Sequence, residues 1–260
     1  MKNIAVITGA SGGIGKFFAE TLSTYRQDFD EVWVIARNRE RLMALEGQIP
    51  FQIRAVCLDL SLESSYDEYK KLLEEEKPRV GLLVNCSGYG KFDSTEKLSY
   101  EENMGMIDLN CRALTALAYL SLPYMDAGCE ILNVASVAAF QPIPYVGVYG
   151  ATKAYVLSFS RALGRELKGR GIRVFAVCPF WTKTEFFNRA VDTSKEAVVK
   201  KYVAMYEPVY IAKYTWRSMK NKRRDYCIPG IKSKLQVLAV KLLPHSLIMR
   251  IWEWQQGLNK

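Results

Sequence analysis

Lys2-Asn3-Ile4-Ala5-Val6-Ile7-Thr8-Gly9-Ala10-Ser11-Gly12-Gly13-Ile14-Gly15-Lys16-Phe17-Phe18-Ala19-Glu20-Thr21-Leu22 is the stretch that decides the fold of this 260-residue chain. Ile4 to Ile7 is a short apolar run, the form a parallel strand takes when both of its faces are buried. Thr8-Gly9 breaks the run, and Gly12, Gly13 and Gly15 lead into Lys16 to Leu22, which reads as a helix. A strand, a glycine-rich turn and a helix N-terminus make an anion seat, because backbone N–H groups and the helix dipole point at a phosphate and the glycines let it approach. The spacing is Thr-Gly-x-x-x-Gly-x-Gly, so the glycines taken alone also suit an ordinary strand-to-helix turn.

The same alternation runs outward along the chain. Strands are expected near 31–36, 53–57, 81–84, 130–135 and 172–178, and helices over 13–25, 39–47, 61–76, 99–126 and 148–168. That order predicts an α/β fold, a Rossmann-type doubly wound parallel sheet. The length suits one such domain with a full core. We expect a single domain over residues 1–230, with a lid at about 185–206, and a basic, apolar helical extension over 231–260.

Tyr149-Gly150-Ala151-Thr152-Lys153 carries the chemistry, with Ser136 thirteen residues upstream. A free phenol has a pKa of about 10 and must fall by roughly three units, about 4 kcal/mol, to trade protons near neutral pH. Lys153 lies four residues after Tyr149 on an expected helix, so the two share a face and the ammonium favours the phenolate. Tyr66-Asp67-Glu68-Tyr69-Lys70 has the same spacing but reads as a solvated helix face. Ser136 follows the apolar stretch Ile131 to Ala135, at the strand end where doubly wound sheets bind ligands. There its hydroxyl can hold a substrate oxygen beside Tyr149.

With these motifs in order, the chain resembles the short-chain dehydrogenase/reductase family over roughly residues 3–230. The resemblance implies roles for further residues. Gly9, Ser11, Gly12, Gly13, Ile14 and Gly15 resemble the cofactor loop, and Asp59-Leu60 the pair that contacts adenine. Asn85, Ser87 and Gly88 resemble the turn after the fourth strand, with Cys86 and Ser87 departing from the family's Asn and Ala. Asn110 matches the asparagine that supports a water relay to the lysine; Ser136, Tyr149 and Lys153 match the catalytic residues. Pro179, Thr182 and Thr184 resemble the segment beside the nicotinamide, where Phe180 replaces a glycine and implies either a different loop or a substrate wall. Tyr149 and Lys153 also contact the cofactor in the family.

The second strand ends in Ala36-Arg37, without the acid that would accept a ribose 2′-hydroxyl. Arg37 offers a guanidinium that suits a 2′-phosphate, with Ser11 as a lesser contact, and the family pattern then implies NADP(H). The expected substrate wall is Tyr89, Phe140, Pro142, Tyr145, Val146, Phe180, Trp181, Phe186 and Phe187, which favours a flat or greasy ketone. Within the family these features imply an NADP-dependent alcohol dehydrogenase or carbonyl reductase acting on a hydrophobic small-molecule ketone or alcohol, with a steroid or bile acid as substrate. Reduction of a 3-oxoacyl thioester is the alternative, and a non-catalytic NADP-binding regulatory protein is the alternative of another class. The family usually pairs subunits through the helices near 99–126 and 148–168, so a homodimer or homotetramer is expected.

Composition narrows the rest. Six scattered cysteines (57, 86, 111, 129, 178 and 227) with no Cys-x-x-Cys read as buried free thiols in a reducing cytosol. A single histidine, His245, excludes a histidine metal cluster, and no metal is expected. No long apolar region follows Met1-Lys2-Asn3, and no run approaches the roughly 18 apolar residues of a spanning helix, so a cytoplasmic location is expected. Residues 213–241 carry nine Lys/Arg against Asp225 alone, almost all of the chain's net charge of +9. Leu235 to Trp254 follow with many large apolar residues. This combination suits either peripheral contact with an anionic membrane or helices packed on the core. No nucleic-acid module is present, and nucleic acid is not an expected partner.

Overall fold

The computed structural model describes residues 1–192 and 197–258. Seven parallel strands form one sheet in the order β3-β2-β1-β4-β5-β6-β7. They are β1 (Asn3–Thr8), β2 (Glu31–Ala36), β3 (Gln52–Cys57), β4 (Arg79–Asn85), β5 (Glu130–Val134), β6 (Arg173–Val177) and β7 (Tyr226–Cys227). The helices are α1 (Gly13–Thr21), α2 (Arg39–Met43), α3 (Ser64–Glu76), α4 (Tyr100–Ile107), α5 (Leu114–Ser121), α6 (Gly147–Glu166), α7 (Phe186–Val191), α8 (Pro208–Met219), α9 (Ile231–Leu242) and α10 (His245–Gln256).

Strand alternation sorts the core into two layers. Ala5, Ile7, Val32, Val34, Leu82, Val84, Phe175 and Val177 pack against Phe18 and Ala19 of α1 and Ile211 and Trp216 of α8. Ile4, Val6, Trp33, Ile35, Val80, Leu83 and Ile131 face the other way, toward Tyr69 and Leu73 of α3, Leu117 of α5 and Leu163 of α6. Both faces of the sheet are therefore covered, which is why the central strands read as continuous apolar runs. The strand order reverses direction between β1 and β4, and this switch opens a crevice at the carboxyl ends of the strands.

Two local features shape that crevice. The expected helix 99–126 is interrupted by a π-turn at Asp108–Ala113, centred near Asn110. Beyond β6, Thr182 and Tyr206 form an isolated parallel bridge outside the sheet, and Tyr206 N donates to Trp181 O at 2.8 Å. The segment expected as a lid thus has a closed neck; its residues 193–196 lie outside the described residues.

The extension is not a separate arm. Val237 of α9 packs on Val137 and Phe180, and Trp252 of α10 packs with Phe92, Val146 and Ala190. Residues 259–260 of the expected extension lie outside the described residues. Among the described residues, no helix is long and apolar enough to cross a membrane. All six cysteines are free; Cys129, Cys178 and Cys227 are buried as expected, but Cys86 and Cys111 are half-buried and Cys57, at the end of edge strand β3, is exposed.

Candidate active site

The glycine turn after β1 holds its shape through close contacts. A Cβ on Gly15 would collide with the Gly9 carbonyl oxygen, so the first turn of α1 lies directly against the end of β1. Thr8 Oγ1 accepts from Cys86 N and Ser87 N at 2.9 and 3.0 Å, fastening this turn to the end of β4. Gly12 differs from Gly15. It caps α1 without a side chain, and a Cβ there would meet nothing nearer than the Arg41 guanidinium at 4.0 Å. That open space faces a cavity of about 890 Å³, which Gly9, Ser11, Gly12, Gly13, Ile14 and Gly15 line on one side. The unpartnered N–H groups of the first turn of α1 and the lack of an acid there suit a pyrophosphate. Substituting Gly12 with aspartate puts a carboxylate in that cradle. The expected result is a folded protein with an unchanged melting temperature and at least tenfold weaker dinucleotide binding by titration calorimetry.

The cavity continues past Arg37, Asp59 and Leu60. Arg37 Nη1 lies 3.8 Å from Asp59, and both are solvent-accessible. Burial pushes the Asp59 carboxyl up, but hydrogen bonds from Ser61 and the Arg37 charge hold it below its ordinary range. Arg41 also reaches the cavity, a placement the sequence reading missed. Asn38 caps α2 by accepting from Arg41 N, which puts Arg41 in the first turn, turned toward Gly12; its guanidinium pairs with Glu185 at 2.8 Å. Two guanidiniums at one end, a glycine cradle and donor N–H groups fit a phosphorylated dinucleotide.

Ser136, Tyr149 and Lys153 meet at the centre of the crevice, beside Ser87, Gly88 and Pro179. Ser136 Oγ accepts from Ala138 N at 3.1 Å and lies 3.4 Å from Pro179 O. Lys153 is buried, donates to Val134 O at 2.9 Å, and sits 5.7 Å from the centroid of the Tyr149 ring. Burial pushes the Tyr149 phenol up to about 12, while a hydrogen bond with Ser136 acts in the other direction. Burial also pulls Lys153 down to about 8. Burial is the larger of the two influences on the phenol in this arrangement, and Lys153 stands beside the Tyr149 ring, held by Val134 O.

Asn110 sits behind these groups. Its amide donates to Tyr89 O and Thr152 Oγ1 at 2.9 and 3.0 Å and accepts from Tyr89 N at 3.0 Å. Its side chain thus ties the Gly88–Tyr89 turn to Thr152 of α6. Asn85, expected at the cofactor, does not line the cavity. Its amide donates to Asn133 Oδ1 at 2.9 Å, and Asn133 in turn donates to Ser160, a buried ladder set by the β4–β5 register. Tyr66 and Lys70 lie apart from the site: Tyr66 is buried and donates to Leu60 O, and Lys70 pairs with Glu74 at the surface.

The wall is partly as expected. Tyr89, Val146, Phe180, Trp181, Phe186 and Phe187 line the cavity, together with Thr182 and Thr184. Phe180 is buried, and among the described residues only Lys77 and Tyr145 combine a side chain with positive φ, so phenylalanine at this position needs no glycine-like backbone. Phe140, Pro142 and Tyr145 do not line the cavity. The short 3₁₀ turn Val137–Phe140 turns Phe140 onto Tyr226, and Lys241 lies over its ring; Tyr145 sits in a left-handed turn before α6. In their place stand Phe92 and Ile143, with Val240 and Leu243 at the end of α9 and Ile248 and Trp252 of α10. Trp252 is fixed by donating to Pro144 O at 3.0 Å. Among the described residues no cluster of His, Cys, Asp and Glu could hold a metal.

Comparison with known proteins agrees with this geometry. Residues 3–195 match the family model described as short chain dehydrogenase. A very-long-chain 3-oxoacyl-CoA reductase of Danio rerio is 32% identical over 210 residues, covering 77% of this chain and 64% of that protein. A 17-beta-hydroxysteroid dehydrogenase type 3 of Mus musculus is 31% identical over 215 residues, covering 77% of this chain and 69% of that protein. The structure of a short-chain dehydrogenase from Sphingobium yanoikuyae in complex with NADPH superposes with a TM-score of 0.76 at 28% identity, over 91% of this chain and 92% of the other. Glycine cradle, strand-end serine, Tyr149–Lys153 pair and matched length together make the chain a member of the short-chain dehydrogenase family of oxidoreductases.

Proposed function

We propose that this chain is an NADP(H)-dependent oxidoreductase interconverting a secondary alcohol and a ketone on a bulky apolar substrate, with a steroid or bile acid as the substrate class. The observation that carries the substrate reading is the aromatic wall around Trp181. Trp181 stacks on Trp252 at 6.4 Å and meets Phe92, Phe187 and Tyr202 edge-on or tilted at 5.1–6.0 Å. Such a wall excludes water and accepts a flat apolar body.

The roles follow from position. Ser136 and Tyr149 hold the substrate oxygen, and Tyr149 transfers the proton to or from it. When bound, the nicotinamide supplies or takes up the hydride. A phenol kept protonated by burial is ready to donate, since an alkoxide developing on the substrate is a stronger base than the phenolate. Asn110 keeps the turn at Gly88 in place, and the Lys153 ammonium beside the Tyr149 ring favours the phenolate left when the proton is given up. Arg37 and Arg41 hold the 2′-phosphate. Charge-assisted contacts of that kind are worth about 1.5–3 kcal/mol, so catalytic efficiency with NADPH should exceed that with NADH by roughly 10- to 100-fold. A preference for NADH removes the assignment.

A second reading has its own support. Lys201 and Lys232 line the same cavity, which suits the anionic carrier of a long-chain 3-oxoacyl thioester. The likeness to the Danio rerio protein favours the same class. NADPH consumption against oxosteroids, oxo-bile acids, 3-oxoacyl thioesters and small ketones separates the readings: a regiospecific steroid signal supports the first, and turnover of thioesters alone supports the second. Within this proposal the enzyme works in the cytoplasm as a homodimer or homotetramer, paired through α4 to α6, where Tyr119 and Tyr155 are exposed.

A further inference from the structure

The helices α9 and α10 have two apolar sides. One packs on the site: Val237 against Phe180, and Trp252 against Phe92 and Val146. The other faces solvent. Ile231, Leu235, Leu238 and Leu242 lie at successive helical positions along α9, and α10 adds the exposed Leu247 and Trp254. They are exposed, 75% for Ile231, 74% for Leu242 and 70% for Trp254, and along α9 they form a run rather than scattered single positions.

Cations border this stripe. Residues 231–258 contain Lys232, Lys234, Lys241 and Arg250 against Glu253 alone. All four cations are exposed, and Lys234 and Lys241 lie over the rings of Tyr214 and Phe140 along one flank. The cavity opens at the same place. Leu243 and Ile251 both line it and remain 40% and 38% exposed, so the rim of the substrate cavity is continuous with the stripe.

We propose that the outer face of α9 and α10 docks on an anionic phospholipid bilayer and turns the rim of the substrate cavity toward it. Charge complementarity selects this occupant. A second copy of the chain would bring the same cations face to face across a two-fold axis, whereas acidic headgroups neutralise them while the leucines and Trp254 enter the acyl boundary. The entry route through Leu243 and Ile251 rests on the apolar-substrate reading above; the docking itself does not.

Sedimentation of the full chain with phosphatidylcholine vesicles, with and without phosphatidylserine, tests it. The expected result is binding at least roughly 10-fold tighter to the anionic vesicles, weakening as salt is raised. Leu235→Glu/Leu238→Glu should abolish binding while leaving NADPH affinity and turnover of a water-soluble ketone unchanged. Lys234→Glu/Lys241→Glu should remove only the preference for anionic vesicles. Absence of binding by the parent chain overturns the proposal, as does binding that survives the leucine substitutions. A dimer in solution that those substitutions convert to monomer also overturns it, by assigning the face to a second copy. Loss of ketone turnover in the parent chain, with vesicle binding intact, would instead count against the enzymatic reading alone.

Discussion

Tyr149→Phe lowers the turnover number by roughly 10²- to 10⁴-fold, the range for loss of a positioned general acid, and leaves dinucleotide affinity within about twofold. The two effects separate because of what each part of Tyr149 touches. Its ring packs against Phe92 at 5.9 Å and Phe186 at 5.6 Å, contacts that phenylalanine retains. Only the hydroxyl, paired with Ser136, is lost. Ser136 keeps its contacts with Ala138 N and Pro179 O, so no buried donor is stranded and stability should change by about 1 kcal/mol at most. Rates on the best substrate of the panel, with NADPH titration of both proteins, check this. Equal turnover would mean that Tyr149 does not carry the proton. Unmeasurable turnover in the parent with cofactor still bound would support a binding protein on the same fold.

The positions of the strands were legible because burial on both faces leaves a signal that does not depend on partners. Val32 to Ala36, Val80 to Asn85 and Val174 to Val177 are apolar at nearly every position, and the structure moves their expected ends by two residues at most. Tyr226–Cys227 gave no such signal, since a two-residue edge strand is defined only by its bonds to β6. The π-turn at Asp108–Ala113 was hidden inside a helix-like pattern, because one extra residue per turn does not alter composition.

Site residues divided along the same line. Gly12, Ser136, Tyr149 and Lys153 were readable because their chemistry is unusual at those spacings. Asn85 was misplaced because its partner, Asn133, is set by cross-strand register 48 residues away. Phe140 and Tyr145 were misplaced because a 3₁₀ turn and a left-handed residue decide their direction. The inward face of α9 could not be chosen from sequence, since Leu235, Val237, Leu238, Val240 and Leu242 put apolar side chains on both sides of the helix. Capping by Asn38 was the signal that would have placed Arg41.

Lys153→Met should make the protein inactive and more stable. The ammonium is buried, and burial lowers its pKa from 10.5 to about 8, a difference of roughly 3 kcal/mol against the charged form at neutral pH. Methionine fills similar space without that charge but forgoes the bond to Val134 O, worth about 1 kcal/mol. The net gain is about 2 kcal/mol, or roughly 5 °C in melting temperature for a chain of this size. The pH dependence carries the sign. Between about 8 and 10.5 the folded parent binds fewer protons at Lys153 than the unfolded chain, so its stability relative to the variant rises with pH. The variant's advantage is therefore full below pH 8 and shrinks toward pH 10.5. Calorimetric melting of both proteins across that window, beside their turnover, checks the prediction. A variant that melts lower at neutral pH, or a gap that does not narrow on going alkaline, would show that Lys153 stabilises the fold. A higher melting temperature with lost turnover would identify it as a group held at the expense of stability because the proton transfer at Tyr149 requires it.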